Sequence, residues 1–318
     1  MTKAGSENRE GLLASCPACQ RTLARQVRFP GTGVHSGKKV HLTIKPAPPN
    51  TGINFCRVDL PTAPLVRAIF SRVVDTSLAT VIGEDGCIVS TIEHLMACFS
   101  GLSIDNAVCE LDAYEAPIMD GSAKDFARNI QAAGIVKQDA ERMYFIVKSP
   151  IKLEKEDKSV CLYPARERRM SCTIEFNHPA IGEQSLSLLL SEANFVNEIC
   201  SARTFGFLHE VEYMQFFGLA KGGSLDNSVV IDENGVINEG GLRHSDEFVR
   251  HKILDAIGDF SLLGLPILGH IVLYRSGHQF NHQFLKTFFA SKTAWETAPL
   301  ASLARSKLPE MDQPQQTG

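Results

Sequence analysis

The sequence predicts an α+β protein built from two related domains. Two observations predict it. A helix, a glycine-containing turn and a strand occur in that order once in each half, in "STIEHLMACFSGLSIDNAVCELDA" and in "HSDEFVRHKILDAIGDFSLLGLPILGHIVLYRSG". Short strand-like runs punctuated by Gly, Pro and Asn fill the chain between them. The identity between the halves is too low to establish duplication.

Residues 1–20 are polar and unpatterned, and a disordered extension is expected there, with domain I over 21–140. "RQVRFPGTGVHSGKKVHLTIKPAPPNTGINFCRVDL" gives strand, Gly turn, strand, Pro-rich loop, strand. Its "GTGVHSGKK" is not a phosphate loop, because Thr32 replaces the first glycine and a strand follows. In the first helix Ile92, Leu95, Met96 and Phe99 form one apolar stripe, with Ser90 or Thr91 as the cap and Gly101 as the stop. "DNAVCELDA" is a strand, and "APIMDGSAKDFARNIQAAGI" is a loop feeding a second helix. The polar stretch "VKQDAERM" at 136–143 marks the boundary, with domain II over 141–292. Its main helix is capped by Ser245, with acids in the first turn. The tail, 293–318, is expected to fray.

The composition excludes several function classes. The 318 residues carry a net charge of −4 and no basic run, which disfavours a nucleic-acid partner. No apolar stretch is long enough to span a bilayer, and the start has no secretory-signal pattern. Nine cysteines, most of them in apolar runs, read as buried thiols of a reducing cytoplasm. "CPAC" at Cys16 and Cys19 is half a zinc ribbon without its second pair, and a polar tail with two thiols accounts for it.

Chemistry concentrates on two helices. At about 100° per residue, Val249, Ile253, Ala256, Ile257 and Phe260 cluster on one side of the second. His251, Asp255 and Asp259 fall roughly opposite, each four residues on from the last, with Lys252 beside them. His-x-x-x-Asp is a workable metal-ligand pair, but taken alone it is better explained as a solvated helix face with a local His–Asp hydrogen bond. Glu93 and His94 on the first helix favour the metal. His94, His251 and Asp255 give the three ligands of a catalytic zinc, and Glu93 is a carboxylate able to take a proton. A first-turn acid favouring the helix dipole is the ordinary explanation of Glu93. His278 follows a strand and a glycine, so it is expected on a loop, where it could serve as a general acid. His35, His178, His244, His270 and His282 are also available, and spacing does not choose among them.

These motifs resemble one family. "TIEHLMACFSGLSIDNAVCEL", "PIMDGSAKDF", "FNHPAI", "ARTFGFLHEVEYMQFFGLAKGGSLDNSVVID", "LRHSDEFVRHKILDAIGD" and "SGHQFNHQFL" are similar, in order, to the UDP-3-O-acyl-N-acetylglucosamine deacetylases, zinc hydrolases of lipid A synthesis in Gram-negative bacteria. The resemblance runs from about Thr22 to Thr293. It implies Glu93 as general base, His94, His251 and Asp255 as zinc ligands, and Lys252 as the active-site cation. It further implies His278 as the catalytic histidine oriented by Asp259, Thr204 as a hydroxyl for the oxyanion, and Leu78, Phe205 and Phe207 as substrate contacts along with Lys252. The implied fold is two domains, each a β-sheet layered with two helices. A β-α-β insert near 205–232 would form an apolar acyl passage, to which Phe207, Val211, Tyr213, Met214, Phe216 and Phe217 contribute.

The implied substrate is a UDP-sugar lipid, with one Zn²⁺ as cofactor, although Fe²⁺ can also use two His and an Asp. A cytoplasmic monomer with no nucleic-acid partner is expected. Ser77 and Lys221 depart from the family pattern near the passage. The alternatives are a zinc amidase for another acylated amino sugar and a non-catalytic binding module stapled by zinc.

Overall fold

The computed structural model describes residues 16–303. The expected extension therefore falls outside the described residues for 1–15 but is ordered from Cys16. β1 (Cys19–Leu23) pairs antiparallel with β10 (Ile135–Glu141). The stretch expected as a domain boundary is thus largely a strand. Its residues are mostly exposed or half-buried, so no alternation betrayed it.

In the first half, β2 (Val27–Thr32), β3 (Lys39–Pro46), β4 (Ile53–Arg57), β5 (Leu65–Arg67) and β9 (Ala107–Leu111) form a five-stranded sheet in the order β2-β3-β9-β4-β5. Strand alternation writes its inner face: Val40, Leu42 and Ile44 on β3 and Ala107, Cys109 and Leu111 on β9 are buried. A small sheet of β6 (Val73–Asp75), β7 (Val81–Glu84) and β8 (Cys87–Val89) leads into α1 (Glu93–Gly101). α2 (Lys124–Ala133) buries Phe126, Ala127, Ile130 and Ala133, one helical stripe.

In the second half, β12 (Ile151–Lys155), β13 (Lys158–Tyr163), β19 (Ile267–Tyr274), β11 (Met143–Val147) and β20 (Trp295–Pro299) follow one another across a seven-stranded sheet. β14 (Arg168–Phe176) joins β19, and β15 (Gly182–Leu189) pairs with β14. β20 corrects the expectation of a fraying tail as far as Pro299: Trp295 stacks on Phe288 and donates its indole N–H to that residue's carbonyl. The tail from 304 onward lies outside the described residues. α4 (Glu247–Ser261) and α5 (His278–Ala290) cover this sheet. The insert is β16 (Phe205–Phe207), α3 (Leu208–Phe216) and β17 (Val229–Asp232), with β16 parallel to β17 and β18 (Gly235–Val236) added at the edge. This is the expected β-α-β insert in a mixed α+β fold.

α1 packs directly on α4. Gly258 makes the approach possible: a Cβ there would stand 2.1 Å from the Glu93 carbonyl oxygen. The expected caps are corrected. The residue before α1 is Ile92 and that before α4 is Asp246, neither with a side-chain cap, and Thr91 adopts a left-handed φ of 59°. Gly101 is the last residue of α1 rather than its stop. α4 is held from its flank instead. Glu247, fully buried, accepts from Arg203 Nε at 2.9 Å and from the Arg243 backbone N–H at 2.6 Å. All nine cysteines are free thiols, eight of them buried. Among the described residues no helix is long and apolar enough to cross a membrane.

Candidate metal centre and active site

α1 and α4 deliver a buried cluster. One ligand atom each from His94, His251 and Asp255 lies within 4.8 Å of the others. Asp255 Oδ1 is 3.5 Å from His94 Nε2 and 3.3 Å from His251 Nε2. The two imidazoles stand nearly perpendicular, 5.0 Å apart. His251 Nδ1 lies 3.2 Å from the Ala202 carbonyl, which can only accept, so Nδ1 carries the proton and Nε2 is left as a free lone pair. Burial, aided by His94 and Lys252 and opposed by Asp255, pushes the His251 pKa down to about 3. Burial would raise Asp255, but His251, Lys252 and His94 outweigh it and hold the carboxyl well below its usual range. Two imidazoles, one of them locked neutral, and an ionised carboxylate make a donor set that fits a borderline divalent cation, with a position left open.

The remaining polar groups surround that cluster. Glu93 is 4% exposed, and burial raises its proton affinity, with His278 and His94 only partly offsetting this. Its Oε2 accepts the Thr80 backbone N–H at 3.0 Å. Lys252 Nζ donates to Asp255 Oδ2 at 2.7 Å and sits 5.5 Å over the Phe205 ring. Burial disfavours its charge, but Asp255 outweighs that and keeps it protonated.

His278 stands at the start of α5, not on a loop. The preceding Gly277 offers no side-chain cap, so the helix start was silent in the sequence. Its Nδ1–H donates to Asp259 Oδ2 at 2.8 Å, and its Nε2 lies 3.9 Å from Asp255 Oδ2. Burial works against its charge, yet Asp259, with Asp255 and Glu93, raises its pKa from 6.5 to about 10. Asp259 is itself held by the Thr80 hydroxyl at 2.6 Å and Asn281 Nδ2 at 2.8 Å. Thr80 therefore touches both the Glu93 carboxylate and the Asp259 carboxylate. No sequence signal marks it, since a lone Thr thirteen residues before Glu93 has no diagnostic spacing. Asn281 was likewise hidden among the histidines of "SGHQFNH".

One cavity of about 1100 Å³ collects these groups. Glu93, His94, His251, Lys252, Asp255 and His278 line it, as do Thr204, Phe205 and Leu78. Asp259 stands behind His278. Phe207 does not line the cavity; its ring packs 6.1 Å from Phe176 and 5.5 Å from His178. Of the histidines that spacing left open, only His35 reaches the cavity, with a buried Nδ1 that has no partner. His244 and His270 bond Ser201 and Ser171, and His178 reaches the Asp232 carbonyl.

The insert splits the apolar residues expected on the passage. Val211 and Met214 line the cavity, whereas Tyr213, Phe216 and Phe217 face solvent. Ser77 lines it, and Lys221 does not. The insert is seated by Gly121 (φ 82°), where a Cβ would stand 2.0 Å from the Asn227 carbonyl oxygen and whose own carbonyl accepts the Thr204 N–H at 2.8 Å.

Comparison with known proteins agrees with this geometry. The family profile described as UDP-3-O-acyl N-acetylglycosamine deacetylase (LpxC) matches residues 20–290. The UDP-3-O-acyl-N-acetylglucosamine deacetylase of Myxococcus xanthus is 49% identical over 280 residues, 88% of this chain and 89% of that one. That of Syntrophus aciditrophicus is 46% identical over 279 residues, 88% and 89% of the two chains. That of Saccharophagus degradans is 47% identical over 279 residues, 87% and 92% of the two. The chain belongs to the UDP-3-O-acyl N-acetylglycosamine deacetylase family.

Proposed function

We propose that this chain hydrolyses the N-acetyl group of UDP-3-O-(3-hydroxyacyl)-N-acetylglucosamine, giving the 2-amino sugar and acetate, the committed step of lipid A synthesis. The observation that carries this is the placement of a raised-affinity carboxylate, Glu93, and a cationic imidazole, His278, around a three-ligand cluster in one cavity.

His94, His251 and Asp255 would hold the metal, which we assign as Zn²⁺. When bound, it supplies Lewis acidity that lowers the pKa of a water and polarises the acetamide carbonyl. Glu93, shielded from solvent, accepts the proton of the attacking water. The Thr204 hydroxyl and the Lys252 ammonium stabilise the negative charge that develops on the acetamide oxygen. Asp259 keeps His278 protonated and aimed, so its Nε2–H protonates the sugar nitrogen as the C–N bond breaks. Thr80 and Asn281 fix Asp259 and, through it, the direction of that proton. Phe205 and Leu78 flank the sugar. Lys155 and Lys158, on the same cavity wall, suit the diphosphate.

The insert favours this substrate over another acylated amino sugar, because Val211 and Met214 extend the cavity with apolar surface suited to a long acyl chain. A zinc-stapled binding module would have no use for the Glu93 and His278 arrangement. We assign the chain to the cytoplasm, as a monomer of two domains meeting near residue 140. The test is to incubate the purified protein with this substrate and follow product by mass spectrometry. Loss of one acetyl group with a new free amine is expected. An unchanged substrate, in a protein that holds its metal, would reject the substrate assignment.

A further inference from the structure

A second cavity lies at the far ends of the helix pair that carries the ligands. It holds about 90 Å³ and shares no lining residue with the first. Ser100 on α1 and Ser261 on α4 border it, each six residues past a ligand, about 9 Å of helix rise. β5 of the first half and β14 of the second close its sides, through Arg67 and through Arg168 and Arg169. The catalytic account uses none of these groups.

Four arginines line this small space: Arg67, Arg142, Arg168 and Arg169. Two are matched by acids. Arg142 Nε donates to Asp105 Oδ1 at 2.8 Å, and Arg169 Nε donates to Glu167 Oε1 at 2.5 Å. Arg168 makes no ion pair of its own among the described residues, although the Asp105 carboxylate on the same cavity still favours its charge. Among the described residues its guanidinium makes one hydrogen bond, to the Ser100 hydroxyl, a neutral acceptor at 3.2 Å. Asp105 is already engaged on both oxygens, by Arg142 and by the Arg21 backbone N–H at 2.9 Å. Burial, and then the charge of Arg142, disfavour the Arg168 cation, and Cys16, Tyr144 and Asp105 offset them only in part. The Arg67 side chain, exposed at the same cavity, makes no hydrogen bond among the described residues.

A guanidinium has five N–H donors and cannot shed its charge, so drawing it from water beside other arginines costs free energy unless an anion answers it. The fork geometry matches a tetrahedral oxyanion bidentately. We propose that this cavity is a phosphate-binding site, in which Arg168 and Arg67 grip the anion and the Ser100 hydroxyl adds a donor. The cavity has room for a phosphate group, and a phosphate ester would enter by that group. The bound anion would tie β5 and α1 of the first half to β14 of the second.

The test is a titration of the metal-loaded protein in a phosphate-free buffer. Inorganic phosphate and glycerol 3-phosphate are added in parallel, against sodium chloride at matched ionic strength, and Tm and binding heat are followed. A saturable rise in Tm is expected. The dissociation constant should weaken about tenfold or more in Arg168→Gln and in Arg67→Ala. It should be kept in Lys252→Ala, which removes a cation from the other cavity. Arg67 is exposed, so Arg67→Ala remains informative even if Arg168→Gln fails to fold, and its acetate release without phosphate should equal the parent's. A response to the free ion alone assigns inorganic phosphate, and a tighter response to the ester assigns a phosphomonoester. A response that chloride reproduces, that Arg67→Ala leaves intact, or that Lys252→Ala abolishes overturns the proposal.

Discussion

Two regions of this molecule break the usual rule of burial in opposite directions. At the helix pair, Glu93, His94, His251, Asp255 and Asp259 are all 5% exposed or less. On the insert, Phe216 is 84% exposed, Tyr213 66% and Phe217 61%. Buried charge and exposed aromatic surface both cost free energy in an isolated chain. The charged region offsets its cost internally: each carboxylate meets a cation or an N–H donor, and Gly258 lets the two helices close over the cluster. The aromatic region has no such internal answer. The difference separates a site organised before its ligand arrives from a surface left open to solvent.

The largest effect should come from opening the buried region. His251→Ala removes a ligand and the Ala202 contact together. Acetate release should fall on the order of 10⁴-fold or more, with metal lost by elemental analysis. An active, metal-free variant would break the comparison at its stronger end.

Next is the acid. On the proposed mechanism, activity requires Glu93 without its proton and His278 with one. Burial raises Glu93, so the acid limb of kcat/KM should lie above the usual carboxylate range. His278, raised from 6.5 to about 10, would then set the alkaline limb, and a cation on Asp255 would draw that limb downward. Asp259→Asn should cost about 10²-fold and move the alkaline limb toward lower pH, so activity is lost first at high pH. An alkaline limb that stays in place would remove His278 from the role of acid.

Thr80→Val keeps the shape of the residue and deletes the hydroxyl bonded to Asp259. About a tenfold loss in kcat with little change in KM is expected, along with a smaller shift of the same limb. Loss of stability alone, with the pH profile unmoved, would make Thr80 merely structural.

The smallest effects belong to the insert. Met214→Glu should raise KM several-fold for a long-acyl substrate and leave a short-acyl analogue unaffected. Phe216→Ser should change unfolding free energy by no more than about 0.5 kcal/mol, since its ring is already in water.

What the sequence revealed follows the same division. Ligands one helical turn apart, such as His251 and Asp255, declare themselves by spacing, and motif resemblance carried Glu93, His278 and Thr204. Partners brought in from other elements do not. Thr80 and Asn281 meet at Asp259 from different parts of the chain, and no periodicity marks either. His278 looked like a loop residue because α5 begins without a cap. β10 reads as a boundary in the sequence because a two-stranded ribbon open to solvent needs no apolar alternation. Phe207 was grouped with the passage because an aromatic-rich segment does not reveal which rings face inward.

The central claim is that the buried charges on α1 and α4 hold a metal and that Glu93 acts beside it. The most direct measurement determines metal content and acetate release from UDP-3-O-acyl-N-acetylglucosamine together, for the parent and for Glu93→Gln. One metal per chain in both proteins, with acetate released by the parent alone, is the predicted result. Full acetate release by Glu93→Gln, or a parent that deacetylates without metal, would contradict it.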